Sequence, residues 1–209
     1  MSSVAIMEDR GMTVKYGIRA VALAAVVMCG LTGCGSESEP LTEKGVEEAL
    51  LSEKTLPDGY KLRHAPAMED FAAGENDCRN WSGTKCPGFV ASGGTGLEGV
   101  EAVEASGRGS TAGVSIWAFD TPGNAEAALK GMESTHKQRI GLEISSGADQ
   151  TTASHSVLTP FPWKHYTSHV DMRVGATIIT VGAQVKTPED VTDLARYTAD
   201  HIRKKQSED

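Results

Sequence analysis

The chain has 209 residues, with 28 Asp and Glu against 20 Lys and Arg, a formal net charge of −8 and only 5% aromatic residues. This acidic balance argues against a nucleic-acid surface, because phosphates demand stripes of Lys and Arg, and it opposes electrostatic docking on anionic lipid. The length suits one domain with a real core and is small for two.

Arg10, Lys15 and Arg19 give the chain a basic start, and Ala20 to Gly30 is almost wholly apolar. That is the layout of a secretory signal peptide. Ala20 to Gly33 is 14 residues long, against roughly 20 needed to span the hydrocarbon core, so a transmembrane anchor is the weaker reading. Glu8 and Asp9 fit a basic region poorly. A start at Met12 leaves Lys15 and Arg19 as its only charges, and the pattern favours that start.

The apolar stretch closes on Leu31-Thr32-Gly33-Cys34, followed by Gly35-Ser36-Glu37-Ser38-Glu39-Pro40. An aliphatic residue, two small residues and a cysteine resemble the lipobox of bacterial lipoproteins. The resemblance implies that residues 1–33 are a cleaved signal peptide and that Cys34 carries the acyl chains. Residues 34–40 then form a lipidated tether, whose six residues after Cys34 reach about 20 Å at full stretch. Residues 41–209 form a single domain outside the cytoplasm, attached to the cell membrane through the acyl chains alone.

Of the four cysteines, Cys29 lies in the cleaved segment and Cys34 is the acylation site. Cys78 and Cys86 remain, in an export compartment where disulfides persist. They are expected to pair, closing a short loop worth about 2–3 kcal/mol in the chain-entropy model. A zinc site needs further ligands at short spacing and a redox pair needs C-x-x-C; the sequence has neither around them.

Thr42 can cap a helix running to about Lys54, with Val46, Ala49 and Leu50 on one face. Tyr60 to His64 alternates like a strand. Residues 68 to 98 read as irregular, holding the cysteine pair and the run Gly93-Gly94-Thr95-Gly96. Val100 to Ala105 and Gly113 to Phe119 read as a hairpin turning through Ser106 to Ser110. Thr121-Pro122 opens a helix whose stripe is Ala125, Ala128, Leu129 and Met132. After a poorly patterned stretch, Trp163 to Val174 alternates. Tyr166, Ser168, Val170, Met172 and Val174 share one face; His165, Thr167, His169, Asp171 and Arg173 share a solvated one. Ala176 to Val185 is apolar on both faces. Thr187-Pro188 opens a last helix, with Asp190 placed for a capping box and Val191, Leu194, Ala195, Thr198 and Ile202 as its stripe.

The fold class is therefore α+β, an antiparallel sheet with three main helices packed on it. Two strand-strand-helix units stand out. Aligned on Pro122 and Pro188, their apolar positions coincide. This is either an internal duplication or chance reuse of a favoured helix opening.

Few motifs name a chemistry. Gly94-Thr95-Gly96-Leu97-Glu98-Gly99 matches G-x-G-x-x-G, but a strand follows it where a dinucleotide site needs a helix; a flexible loop is the better reading. His165 and His169, four apart on a strand, lie roughly 13 Å apart and cannot chelate one ion by themselves. G-x-S-x-G and H-E-x-x-H are both absent. No cofactor, metal or catalytic residue is expected. Trp81, Phe89, Trp117 and Trp163 are candidate ligand-binding rings, set where the segment 78 to 97 meets the aromatic strands; core packing is the competing reading.

The order of these elements resembles actinobacterial lipoproteins related to the extracellular sensor domain of PknH-type kinases, with Ser115 to Leu129 and Ile178 to Ile202 as the matching stretches. The mix is also similar to the PsbP-like fold of some actinobacterial lipoproteins. The sensor resemblance implies a non-enzymatic domain that binds a small molecule or an envelope protein. The alternatives are an extracytoplasmic hydrolase with a site assembled from distant residues, and a structural or accessory envelope role.

Overall fold

The computed structural model describes residues 39–103, 108–135, 140–157 and 166–208. Thr42 caps α1 (Glu43–Ala49), its hydroxyl accepting from the Gly45 amide at 3.1 Å. The helix stops well before Lys54. The Thr55 hydroxyl captures the backbone of Ser52, accepting from its amide at 2.9 Å, and that local bonding competes with helix continuation. Strand β1 (Tyr60–Met68) runs past His64 and through Pro66. It pairs only with β2 and so forms a sheet edge, where proline is tolerated.

The segment expected to be irregular is ordered. Asp70 caps α2 (Phe71–Ser82) by accepting from the amides of Ala72 and Ala73, and Gly83 ends it at φ +66°. The buried stripe of α2 is Gly74, Cys78 and Ser82. Three small residues one turn apart carry almost no hydrophobic signal, which is why the helix does not show in the apolar pattern. The glycine run is no loop either. It lies inside β2 (Phe89–Val103), a 15-residue strand in a hairpin with β3 (Arg108–Phe119). The hairpin turn lies outside the described residues.

Helix α3 (Pro122–Thr135) buries Ala125, Ala128, Leu129 and Met132. The two-residue β4 (Ile140–Gly141) and β5 (Gln150–Val157) occupy the poorly patterned stretch. β5 is built of Thr and Ser rather than apolar residues, so its alternation is silent. β6 (Tyr166–Val174) and β7 (Thr177–Val185) follow as a hairpin. A 3-10 turn (Pro188–Val191) leads into α4 (Thr192–Gln206), with Asp190 accepting from the Thr187 amide at 2.9 Å.

The sheet order is β1-β2-β3-β7-β6-β5-β4, antiparallel throughout. One face packs against α1 and α4 through Val46, Leu51, Val114, Ile116, Met172, Ile179, Val181, Leu194 and Ile202. The other face packs against α2 and α3 through Phe89, Trp117, Phe119, Ile178, Leu129 and Met132. Each large side chain so buried stabilises by about 1.5–3 kcal/mol.

Both strand-strand-helix units are therefore present, but α3 and α4 lie on opposite faces. Neighbouring antiparallel strands such as β3 and β7 are exchanged by a two-fold axis normal to the sheet, which leaves each face on its own side. A symmetric repeat would put both helices on one face. The likeness of the two Thr-Pro openings is not a symmetry of the fold.

Candidate binding trough on the open sheet face

Helices α2 and α3 cover only part of their face. Tracing the pairing across the sheet gives successive rows of side chains. The row Ser92-Trp117-Ile178-Arg173-Gln150 begins beneath the helices, with Trp117 and Ile178 in the buried cluster. Two residues along each strand comes Gly94-Ser115-Thr180-Asp171-Thr152. The next is His64-Gly96-Gly113-Gly182-His169-Ser154-Gly141, which crosses all seven strands. Large rings thus give way to hydroxyls and then, on β2, β3 and β7, to bare backbone, producing a step beside the helices and a short floor; toward β5 the face is covered, with Ser154 only 7% exposed.

Three consecutive strands contribute glycine to that last row. At the usual strand spacing, Gly96 to Gly182 spans roughly 10 Å. Each glycine has a different reason to be there. A Cβ on Gly96 would stand 2.8 Å from His64 Cδ2, and one on Gly182 would stand 3.3 Å from His169 Cε1. The two imidazoles thus lean over the floor from opposite sides. Between them Gly113 is exposed, and a Cβ there would meet no described atom within 4 Å. Glycine inside a strand costs stability and often marks close approach by a ligand or another backbone; at Gly113 no contact among the described residues demands it.

The hydroxyl row adds directed polar groups. Thr180 Oγ1 donates to Asp171 Oδ1 at 2.8 Å, and Thr152 Oγ1 donates to Glu133 Oε1 at 2.5 Å at the end of α3. Asp171 is only 2% exposed, so this side of β6 is not the solvated face that its alternation implied. His169 is half-buried on the same side, and His165 lies outside the described residues. Among the described residues no group of three or more His, Cys, Asp or Glu is arranged to hold a metal ion.

The sequence-derived candidates fall elsewhere. Phe89 (8% exposed) and Trp117 (5%) belong to the core cluster under α3, with Phe89 edge-on to Phe119 at 6.2 Å. They are packing residues rather than groove walls. Trp81 is 40% exposed on α2, apart from that cluster. Trp163 and Cys34 lie outside the described residues. Cys78 and Cys86 form a disulfide, Cα–Cα 6.3 Å, which ties the last turn of α2 to the approach to β2 and so fixes the helix that borders the trough. The trough residues were missed because a floor is a property of register. The alternation Ser92-Gly94-Gly96-Glu98 against Ala91-Gly93-Thr95-Leu97 is present in the sequence, and a strand reading of that stretch would have exposed it.

The fold is that of a known extracellular domain. The extracellular domain of PknH from Mycobacterium tuberculosis superposes with a TM-score of 0.58 at 12% identity, covering 82% of this chain and 100% of that one. A putative uncharacterized protein from Mycobacterium smegmatis gives 0.42 at 13% identity, over 76% of this chain and 95% of its own. No family model matches the sequence. No curated protein matches it either.

Proposed function

We propose that the chain is a lipid-anchored lipoprotein whose domain faces outside the cytoplasm and binds a small molecule or an envelope protein without catalysing a reaction. The observation that carries the binding reading is Gly113, an exposed glycine at the centre of a glycine row that no described contact requires. The fold shared with the PknH extracellular domain supports an extracytoplasmic, sensor-like role. The lipobox at Leu31 to Cys34 supports the anchor. The hydrolase alternative gains nothing from the trough, because its carboxylates are engaged by threonine hydroxyls.

The test is native mass spectrometry of the protein drawn from its own membrane. The wild type should carry a small-molecule or protein adduct, and Gly113→Leu should lose it. An adduct retained in full by a folded Gly113→Leu variant moves the site off the trough. A wild type free of any adduct makes the accessory envelope role the better reading. For the anchor, Cys34→Ala should leave the chain unprocessed or shed; a correctly cleaved, membrane-bound variant overturns that part.

A further inference from the structure

On the opposite side of the molecule, α4 and the turn after α1 border an open cavity of about 470 Å³. Its lining joins Lys54, Lys204 and Lys205 to the carboxylates Asp200 and Glu208, beside Thr55, Tyr197 and His201. Tyr197 and His201 stack with their rings 5° from parallel, and Tyr197 Oη donates to the Thr55 carbonyl at 2.8 Å, so this wall is fixed. From this geometry we infer that the cavity takes a phosphate group, carried by a lipid headgroup or by a soluble phosphate compound.

The chain is acidic overall, yet this cavity gathers three lysines. Of the carboxylates beside them, Asp200 is held by Arg203 at 3.3 Å, and Glu208 is shared by Lys205 at 2.9 Å and Lys204 at 3.9 Å. Lys204 and Lys205 suit the C-terminal end of a helix in any case. Lys54 does not have that reason. It is brought to the cavity by a different element, and among the described residues it has no ion pair. Lysine acts as a point charge toward phosphate, and charges supplied by separate elements surround an anion rather than line one helix.

His201 lies in the same wall and senses charge in the cavity. Its Nε2 is buried out of reach of solvent, without a hydrogen-bond partner among the described residues. Burial and then the nearby Lys205 hold its pKa below the ordinary histidine value, with Lys204 acting in the same sense. The Ala49 carbonyl opposes them by more than Lys204 contributes, and the Glu208 carboxylate opposes them least. A phosphate in the cavity would offset the lysine charges and favour the imidazolium. Binding and protonation of His201 are thereby coupled, and the coupling is reciprocal. None of these groups belongs to the trough, so this site stands or falls apart from it.

The experiment follows the His201 ring by NMR in the full chain held in nonionic micelles. Two probes are titrated, inorganic phosphate and soluble dihexanoyl phosphatidic acid, against sodium chloride at matched ionic strength. A saturable upward shift of the His201 pKa with both probes and not with chloride is the expected result. A shift with the short-chain lipid alone assigns the source to a headgroup; a shift with inorganic phosphate alone assigns it to a soluble compound. Lys54→Gln should weaken phosphate binding about two- to fivefold, and Lys130→Gln on α3 should leave it unchanged. No shift with either probe overturns the inference. So does an equal shift with chloride, or binding undiminished in a folded variant with Lys54, Lys204 and Lys205 all changed to Gln.

Discussion

The imidazole of His64 lies over Gly96: a Cβ on that glycine would stand 2.8 Å from His64 Cδ2 and 3.2 Å from its Cβ. One residue across the sheet, Gly113 faces open space. The two glycines look alike in sequence and differ in cause. The first makes room for a side chain of the fold, and the second leaves room for something else.

Alanine at the two positions should therefore act in opposite directions. Gly96→Ala must displace His64 at its root and should destabilise, by about 1–3 kcal/mol as for other overpacked sites. Gly113 does not adopt a positive φ, so Gly113→Ala should stabilise by about 0.4–1 kcal/mol through the unfolded chain. Urea unfolding of both variants measures this. A destabilised Gly113→Ala variant would show that the fold itself needs glycine there and would remove the observation behind the trough.

The disulfide should matter for stability and for the position of α2. Replacing Cys78 and Cys86 with serine should cost about 2–3 kcal/mol, with amide exchange rising first in α2. Thiol labelling of the untreated protein, denatured without reductant, should find neither cysteine free. Quantitative labelling of both would contradict the bridge.

A pH dependence follows from His201. Its pKa is lowered in the folded protein, by burial first and by Lys205 next, while the unfolded chain titrates near 6.5. Between the lowered value and about 6.5 the unfolded state binds more protons, so stability rises with pH across that window. It is fully present above about 6.5 and is lost as pH falls through the folded pKa. Melting temperatures of the wild type and His201→Gln, measured from neutral pH downward, should converge toward acid. A constant gap between them would show that His201 does not contribute.

How much of this could be read from the sequence depended on the size of the side chains involved. The stripes of α3 and α4 set Leu129, Met132, Leu194 and Ile202 among alanines at helical spacing, and the residues expected are buried, Val191 in the 3-10 turn just before α4. The apolar face of β6 was equally legible. Helix α2 was not, because Gly74, Cys78 and Ser82 fill the place of a hydrophobic stripe where the helix comes close to β2: a Cβ on Gly74 would stand 2.9 Å from Phe89 Cζ. β5 was hidden for the related reason that hydroxyl residues alternate without changing hydropathy. The trough was hidden most deeply. Gly96, Gly113 and Gly182 are distant in the chain and become one feature only through the register of three strands.

The tryptophans separate packing from exposure. Trp117 is 5% exposed and shares a cluster with Phe119, Leu129, Met132 and Ile178, whereas Trp81 stands 40% exposed on α2. Trp117→Ala should leave a cavity between α3 and the sheet and cost about 3–5 kcal/mol. Trp81→Ala should cost less than half as much, because much of its ring is already in water. Denaturant unfolding gives both values. The comparison also bears on ligand binding: a ring lining an open groove can be truncated with a small loss of stability and a large loss of ligand. If Trp117→Ala kept its stability while losing the native adduct, the ring would belong to a binding site. The buried cluster beneath α3 would then have to open in solution.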